Sequence, residues 1–121
     1  MSRRKVEVGV HFNGSKNNGK LEVRVNPWLI SAKAGSTDYL EWESVGLNGQ
    51  PDKVTRMQIV AYDPATWPFP GSTYSGTKPK TGSVKASAKP DTEHAYTITV
   101  YFVDQGGYER SASIDPDMVI E

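Results

Sequence analysis

The stretch from Tyr96 to Phe102 constrains this chain more than any other. Tyr96, Ile98, Val100 and Phe102 are separated by Thr97, Thr99 and Tyr101. Strict alternation places the first set on one face of a β-strand and the second on the other. Nowhere does a stretch of helical length carry a 3.6-residue apolar period. The period-two pattern recurs instead. Val6, Val8, Val10 and Phe12 alternate with Glu7, Gly9 and His11, and Leu21, Val23 and Val25 with Glu22 and Arg24. From Tyr39 to Val45, Leu40 and Trp42 oppose Glu41 and Glu43; from Val54 to Tyr62, Met57, Ile59 and Ala61 share a face. Shorter strands are expected from Trp28 to Lys33, Ser83 to Lys89, Tyr108 to Ile114 and Met118 to Ile120.

Turn chemistry fills the gaps, with 11 Gly and 8 Pro among 121 residues. Asn13-Gly14-Ser15 and Asn17-Asn18-Gly19 tolerate positive φ. Further turns or loops are read at Ala34 to Thr37, Gly46 to Lys53, Pro90 to Thr92, Asp104 to Gly107 and Asp115 to Asp117. Eight or nine short strands with frequent turns predict an all-β fold: a single antiparallel Greek-key β-sandwich of about eight strands over residues 1–121. Residues 1–5 are expected to be disordered, and 63–82 to form a long Pro- and Gly-rich loop. The expected core is Val8, Val10, Val23, Val25, Ile30, Leu40, Trp42, Met57, Ile59, Tyr96, Ile98, Val100 and Ile114.

Charge removes several function classes. Fourteen basic and fourteen acidic residues cancel, so no polybasic grip on nucleic acid or an anionic membrane is expected. No apolar run approaches the roughly 20 residues of a membrane span. The basic start, Met1-Ser2-Arg3-Arg4-Lys5, leads into an interrupted apolar stretch unlike a signal core, and a cytoplasmic location is expected. Cysteine is absent, which removes disulfides, thiolate catalysis, zinc fingers, iron–sulfur clusters and blue copper.

Two segments resemble cupredoxins. Asn26 to Thr37, followed by Trp42, looks like that family's Pro-x-x-Ile-x-Val-Lys-x-Gly-Asp-Thr-Val-x-Trp stretch, with two extra residues between Gly35 and Trp42. Tyr96-Thr97-Ile98-Thr99-Val100 resembles its penultimate Tyr-x-Phe-x-Cys strand. The resemblance covers residues 21–121 in outline and implies a β-sandwich. It places Val100 where the copper thiolate would be; no His occurs from Ser44 to Lys53 and no Met from Gln105 to Ser113. What it implies is therefore the fold without the copper. Immunoglobulin-like sandwiches produce the same two structural patterns, so both topologies stay open.

No catalytic constellation emerges, and no cofactor is expected. His11 and His94 are the only histidines; without ligand spacing they read as solvent-facing side chains. Gly71-Ser72-Thr73-Tyr74-Ser75-Gly76 matches a nucleophile elbow in composition only. The pairs Glu41/Glu43 and Asp115/Asp117 have no surroundings that would raise a pKa for acid catalysis. The glycines and lysines from Gly71 to Gly82 precede no helix, so a phosphate cradle is not expected.

What remains is Trp67-Pro68-Phe69-Pro70, with Tyr62 before it and Tyr74 after. Aromatics held between prolines lose little entropy on docking and suit a protein partner or the face of a sugar. In that reading the chain is a non-enzymatic interaction module, and Trp67, Phe69, Tyr74, Lys78 and Lys80 bind a protein partner or a second copy, with carbohydrate as a further ligand class. The competing reading folds the loop back, so that Trp67 and Phe69 cap the core. A structural or assembly subunit associating through its edge strands is the alternative function.

Overall fold

The alternating segments become two packed sheets. The computed structural model describes residues 2–13, 20–46, 54–103 and 107–121, with the backbone alone at 11–13 and 20–22. The turns expected at 14–19 and 104–106, the loop at 47–53 and the side chains of His11 and Phe12 lie outside the described residues. Nine strands and no helix are described: β1 (Arg3–Asn13), β2 (Lys20–Asn26), β3 (Leu29–Ala32), β4 (Tyr39–Val45), β5 (Val54–Ala61), β6 (Thr73–Gly76), β7 (Thr92–Val103), β8 (Glu109–Ile114) and β9 (Asp117–Ile120). With no helix among the described residues, none is long and apolar enough to cross a membrane.

One sheet has the order β2-β1-β4, the other β3-β9-β7-β5-β6, with β8 also on β7. β7 pairs with β9 through its first turn of residues and with β8 farther on, so β8 and β9 are one return broken at Asp115-Pro116.

The sheets are mixed, which corrects the expectation of antiparallel pairing throughout. β1 pairs with β4 in parallel, and so does β3 with β9. The cause is a change of sheet. After the β1–β2 hairpin the chain crosses over at Asn26–Pro27, a cis peptide. Arg4, three residues before the Glu7 that pairs with Asn26, reaches Ser31 on β3. β3 therefore runs on in the sense of β2, and β4, returning beside β1, points the way β1 does.

Other boundaries also differ from expectation. The chain is in β1 from Arg3, so the start is not disordered through residue 5. Parallel pairing of Arg3, Arg4 and Lys5 with Tyr39, Leu40 and Glu41 holds it there. The stretch 63–82 contains β6, paired with β5. Ser83 to Lys89 is not a strand. Val84 alone among its apolar residues is fully sequestered, and its N–H donates to the Asp38 carbonyl, while Ala88 N–H closes a turn onto the Lys85 carbonyl.

The core lies between the sheets. Trp42, Leu40, Met57, Ile59, Tyr96, Ile98 and Val100 are fully buried, as the alternation predicts, while Val23, Val25 and Ile114 only pack against it in part. Val6, Ala32, Ala61, Trp67, Phe69, Val84, Phe102, Met118 and Ile120 join it. Burying each large side chain stabilises by about 1.5–3 kcal/mol.

Two sheet edges are closed. Residues 79–81 lie along β4: Trp42 N–H donates to the Pro79 carbonyl and Thr81 N–H to the Leu40 carbonyl, both at 2.9 Å. On β3, the Arg4 guanidinium donates to the Ser31 carbonyl at 2.9 Å and to its hydroxyl at 3.1 Å. The Lys33 N–H donates to the Asp38 carboxylate at 2.9 Å. Side chains thus occupy backbone groups that an incoming strand would need.

Candidate functional site

The Pro-rich loop is built from a turn that ends β5. The Asp63 carboxylate accepts from Ala65 N–H at 3.1 Å, and the Asp63 carbonyl from Thr66 N–H at 3.3 Å. Past that turn Trp67, Pro68 and Phe69 are all buried. Proline has no N–H to leave unpaired, which lowers the cost of burying this backbone. The Pro68 carbonyl is satisfied by Lys85 N–H at 2.8 Å. The Trp67 ring lies 5.6 Å from Phe69, 6.0 Å from Tyr96 and 6.4 Å from His94, centroid to centroid.

Tyr74 fastens the loop. Its hydroxyl accepts from Trp67 Nε1–H at 2.9 Å and donates to the Pro70 carbonyl at 2.6 Å. Its ring stacks on Trp42 at 6.2 Å. Burial pushes the Tyr74 phenol up, against the smaller pull of the Trp67 hydrogen bond. Tyr96, deeper in, is pushed up to about 12 by burial. Gly71 makes the turn into β6 at φ 78°, where a Cβ would also meet the Tyr74 ring at 3.3 Å.

Of the five expected binding residues, Trp67, Phe69 and Tyr74 do come together, but facing the interior. Trp67 and Phe69 cap the core, and neither presents its face to solvent. Lys78 is drawn to the edge of β4, where its ammonium lies 3.6 Å from Glu43. Lys80 bridges Glu41 through its backbone, and its side chain is exposed. Glu43 is held below the usual carboxylate range by Lys78 and then Lys5, the opposite of what a general acid needs.

The wall this cap forms is the chemically richer feature. Two adjoining depressions open there, of about 270 and 220 Å³, and both are lined by Thr66, Trp67 and His94. Lys85 and Lys89 line the larger; Tyr62, Asp63 and Glu93 line the smaller. The cleft is thus basic on one side and acidic on the other, with Thr66, Trp67 and His94 between.

His94 faces inward, contrary to the expected solvent-facing placement. It shares the parity of Tyr96 and Ile98 on β7 and is half-buried. Burial lowers its pKa, with Asp63 opposing. The Thr92 hydroxyl donates to the Lys89 carbonyl at 2.7 Å, so its lone pair is what meets His94 Nε2 at 3.0 Å. The neutral imidazole therefore carries its proton on Nε2. The alternation that defined β7 was the signal for this residue. Thr66, Lys85 and Lys89 had none, since they reach the cleft from irregular backbone.

No family model matches this chain, and no curated protein matches it in sequence.

Proposed function

We propose that this chain is a non-enzymatic binding domain that seats a small ligand in the cleft between Lys85 and Asp63. One observation carries the reading: two adjoining depressions share Thr66, Trp67 and His94, with groups of opposite charge on either side. A few convergent polar groups beside an aromatic wall are the usual makings of a ligand site, and the two lobes together reach the lower part of the usual volume range, about 300–1,000 Å³. The Pro-rich loop serves as the wall, with Tyr74 fixing it before a ligand arrives, which limits the ordering cost of binding.

The proposal includes a copper-free, cupredoxin-like Greek-key topology. Its support is the run of β2 into β3 across both sheets and the parallel pairs β1/β4 and β3/β9. The copper-free part rests on the absence of any thiolate and on Val100, which is fully buried at the position the resemblance assigns to the copper cysteine.

An NMR fragment titration of the wild type, against an Ala65→Trp variant that fills the larger depression from its exposed rim, tests the reading. Amide shifts clustered at 62–68 and 85–95, and lost in the variant, are expected. Fragments that gather on the outer sheet faces, or none that bind, would overturn it.

Self-association is a second reading, favoured by Trp28 and Leu29, which are adjacent in the chain and 48% and 52% exposed. It would run through these side chains rather than by strand addition, because Arg4 and Asp38 occupy the β3 edge. Sedimentation of wild type and Trp28→Ser distinguishes it: a dimer weakened by the substitution supports this reading, and a monomer at all concentrations ends it.

A further inference from the structure

We infer that the larger lobe of the cleft receives the anionic end of a small organic ligand, a carboxylate or a phosphate monoester, between Lys85 and Lys89. This rests on the binding reading above and adds the ligand's charge and orientation.

The ion pairs among the described residues engage Arg3, Lys5, Arg56 and Lys78. Lys85 and Lys89 enter none of them, yet both line one depression. No carboxylate lines that lobe, so its charged side chains are all cationic. Ser87 adds a hydroxyl donor there, while the Thr66 hydroxyl donates to the Asp63 carbonyl at 3.5 Å and the Thr92 hydroxyl is spent on Lys89 and His94. Two ammonium groups with the Ser87 hydroxyl at hand form a donor set that an anion satisfies best, through charge-assisted hydrogen bonds.

The neighbouring lobe fixes the orientation. Asp63 and Glu93 repel an anion from that side. A ligand spanning both lobes passes Thr66 and His94, which line both, and turns a neutral or cationic end toward the two carboxylates. A lobe of about 270 Å³ leaves room for the anionic group and a short carbon skeleton, not for a polymer.

The test is amide and side-chain NMR of the full chain, titrated in separate arms with inorganic phosphate and with acetate, against sodium chloride at matched ionic strength. Saturable shifts at 65–68 and 85–89 are expected in at least one arm; the tighter arm names the anion class. Both lysines are exposed, so Lys85→Gln/Lys89→Gln should keep the fold, seen as unchanged amide shifts away from 85–89, and it should weaken binding by at least about tenfold, since a charged hydrogen bond lost is worth that much. Asp63→Asn should bind as well as wild type or better. Shifts that are linear, that chloride reproduces, or that survive the double substitution would overturn the inference. Neutral fragments that bind the cleft while both anions fail would remove the anion assignment and leave the binding reading standing. Failure of both would remove both.

Discussion

Two tryptophans beside prolines end in opposite surroundings. Trp28 follows Pro27 where the chain changes sheets, and it is half exposed; Trp67 precedes Pro68 and is 2% exposed. Their local sequences do not foretell this. What separates them is closure. Trp67 is covered because Tyr74 bonds both its indole and the Pro70 carbonyl, and because Lys85 N–H occupies the Pro68 carbonyl. Both partners lie outside the segment, and together they satisfy its indole N–H and two of its carbonyls. Among the described residues, Trp28 has no counterpart to Tyr74. An aromatic in a loop becomes core when something folds over it and satisfies the backbone it drags inward.

The largest test of that contrast removes each ring. Trp67→Ala should cost about 3–5 kcal/mol, and Trp28→Ala no more than about 0.5 kcal/mol, as at an exposed site. Urea unfolding measures both, and equal losses would erase the distinction. Removing only the fastening sharpens it. Tyr74→Phe leaves the ring stacked but orphans Trp67 Nε1–H and the Pro70 carbonyl, for a loss of about 1–3 kcal/mol at an unchanged m-value. Tyr62→Phe, at a ring 82% exposed, should change nothing measurable.

A smaller effect is expected from the turn that brings Tyr74 into place. Gly71→Ala forces an L-residue to φ 78°, at about 1–2 kcal/mol. Gly35, at φ 71° with open space around a Cβ, should show the backbone part of that loss without the Tyr74 clash, so comparing melting temperatures separates the two.

The smallest effect is the pH dependence from His94. Its folded pKa lies below the ordinary 6.5 because burial disfavours the imidazolium. The unfolded chain then binds the proton more readily, so stability is complete above 6.5 and falls as pH drops from there through the folded pKa. His94→Gln should flatten this part of the curve. Glu43, whose folded pKa is lowered by Lys78 and Lys5, acts in a separate window, below its ordinary 4.5. Unfolding measured between about pH 7.5 and pH 5.5 therefore excludes Glu43, and the difference between wild type and His94→Gln in that window separates His94 from His11; a difference that grows in the wild type's favour toward the acid end would contradict its placement.

The strands were legible because burial on one face writes a period of two into the chain. β4 runs over the predicted residues, and Tyr96, Ile98 and Val100 are inward together. β6 was hidden, since Thr73 to Gly76 holds one large side chain, Tyr74, that carries no alternation of its own. Strand sense was hidden too, because alternation is the same whichever way a neighbour runs. The candidate site was half legible. The aromatic loop stood out by composition, and parity alone could have turned His94 inward. The basic lobe could not be seen, because Lys85 and Lys89 sit in irregular backbone placed by Asp38 and Pro68.

The sequence by itself determined an all-β chain without thiolate chemistry, its main strands, and which face of each enters the core, because local periodicity and residue chemistry are enough for these. Tertiary structure alone decided that the sheets are mixed, that Trp67 and Phe69 are core rather than surface, and that Lys85, Lys89, His94 and Asp63 share one cleft. These depend on contacts outside the local segment, where a ring is buried or bare according to whether the hydroxyl of the next strand and the N–H of a later loop arrive to close over it.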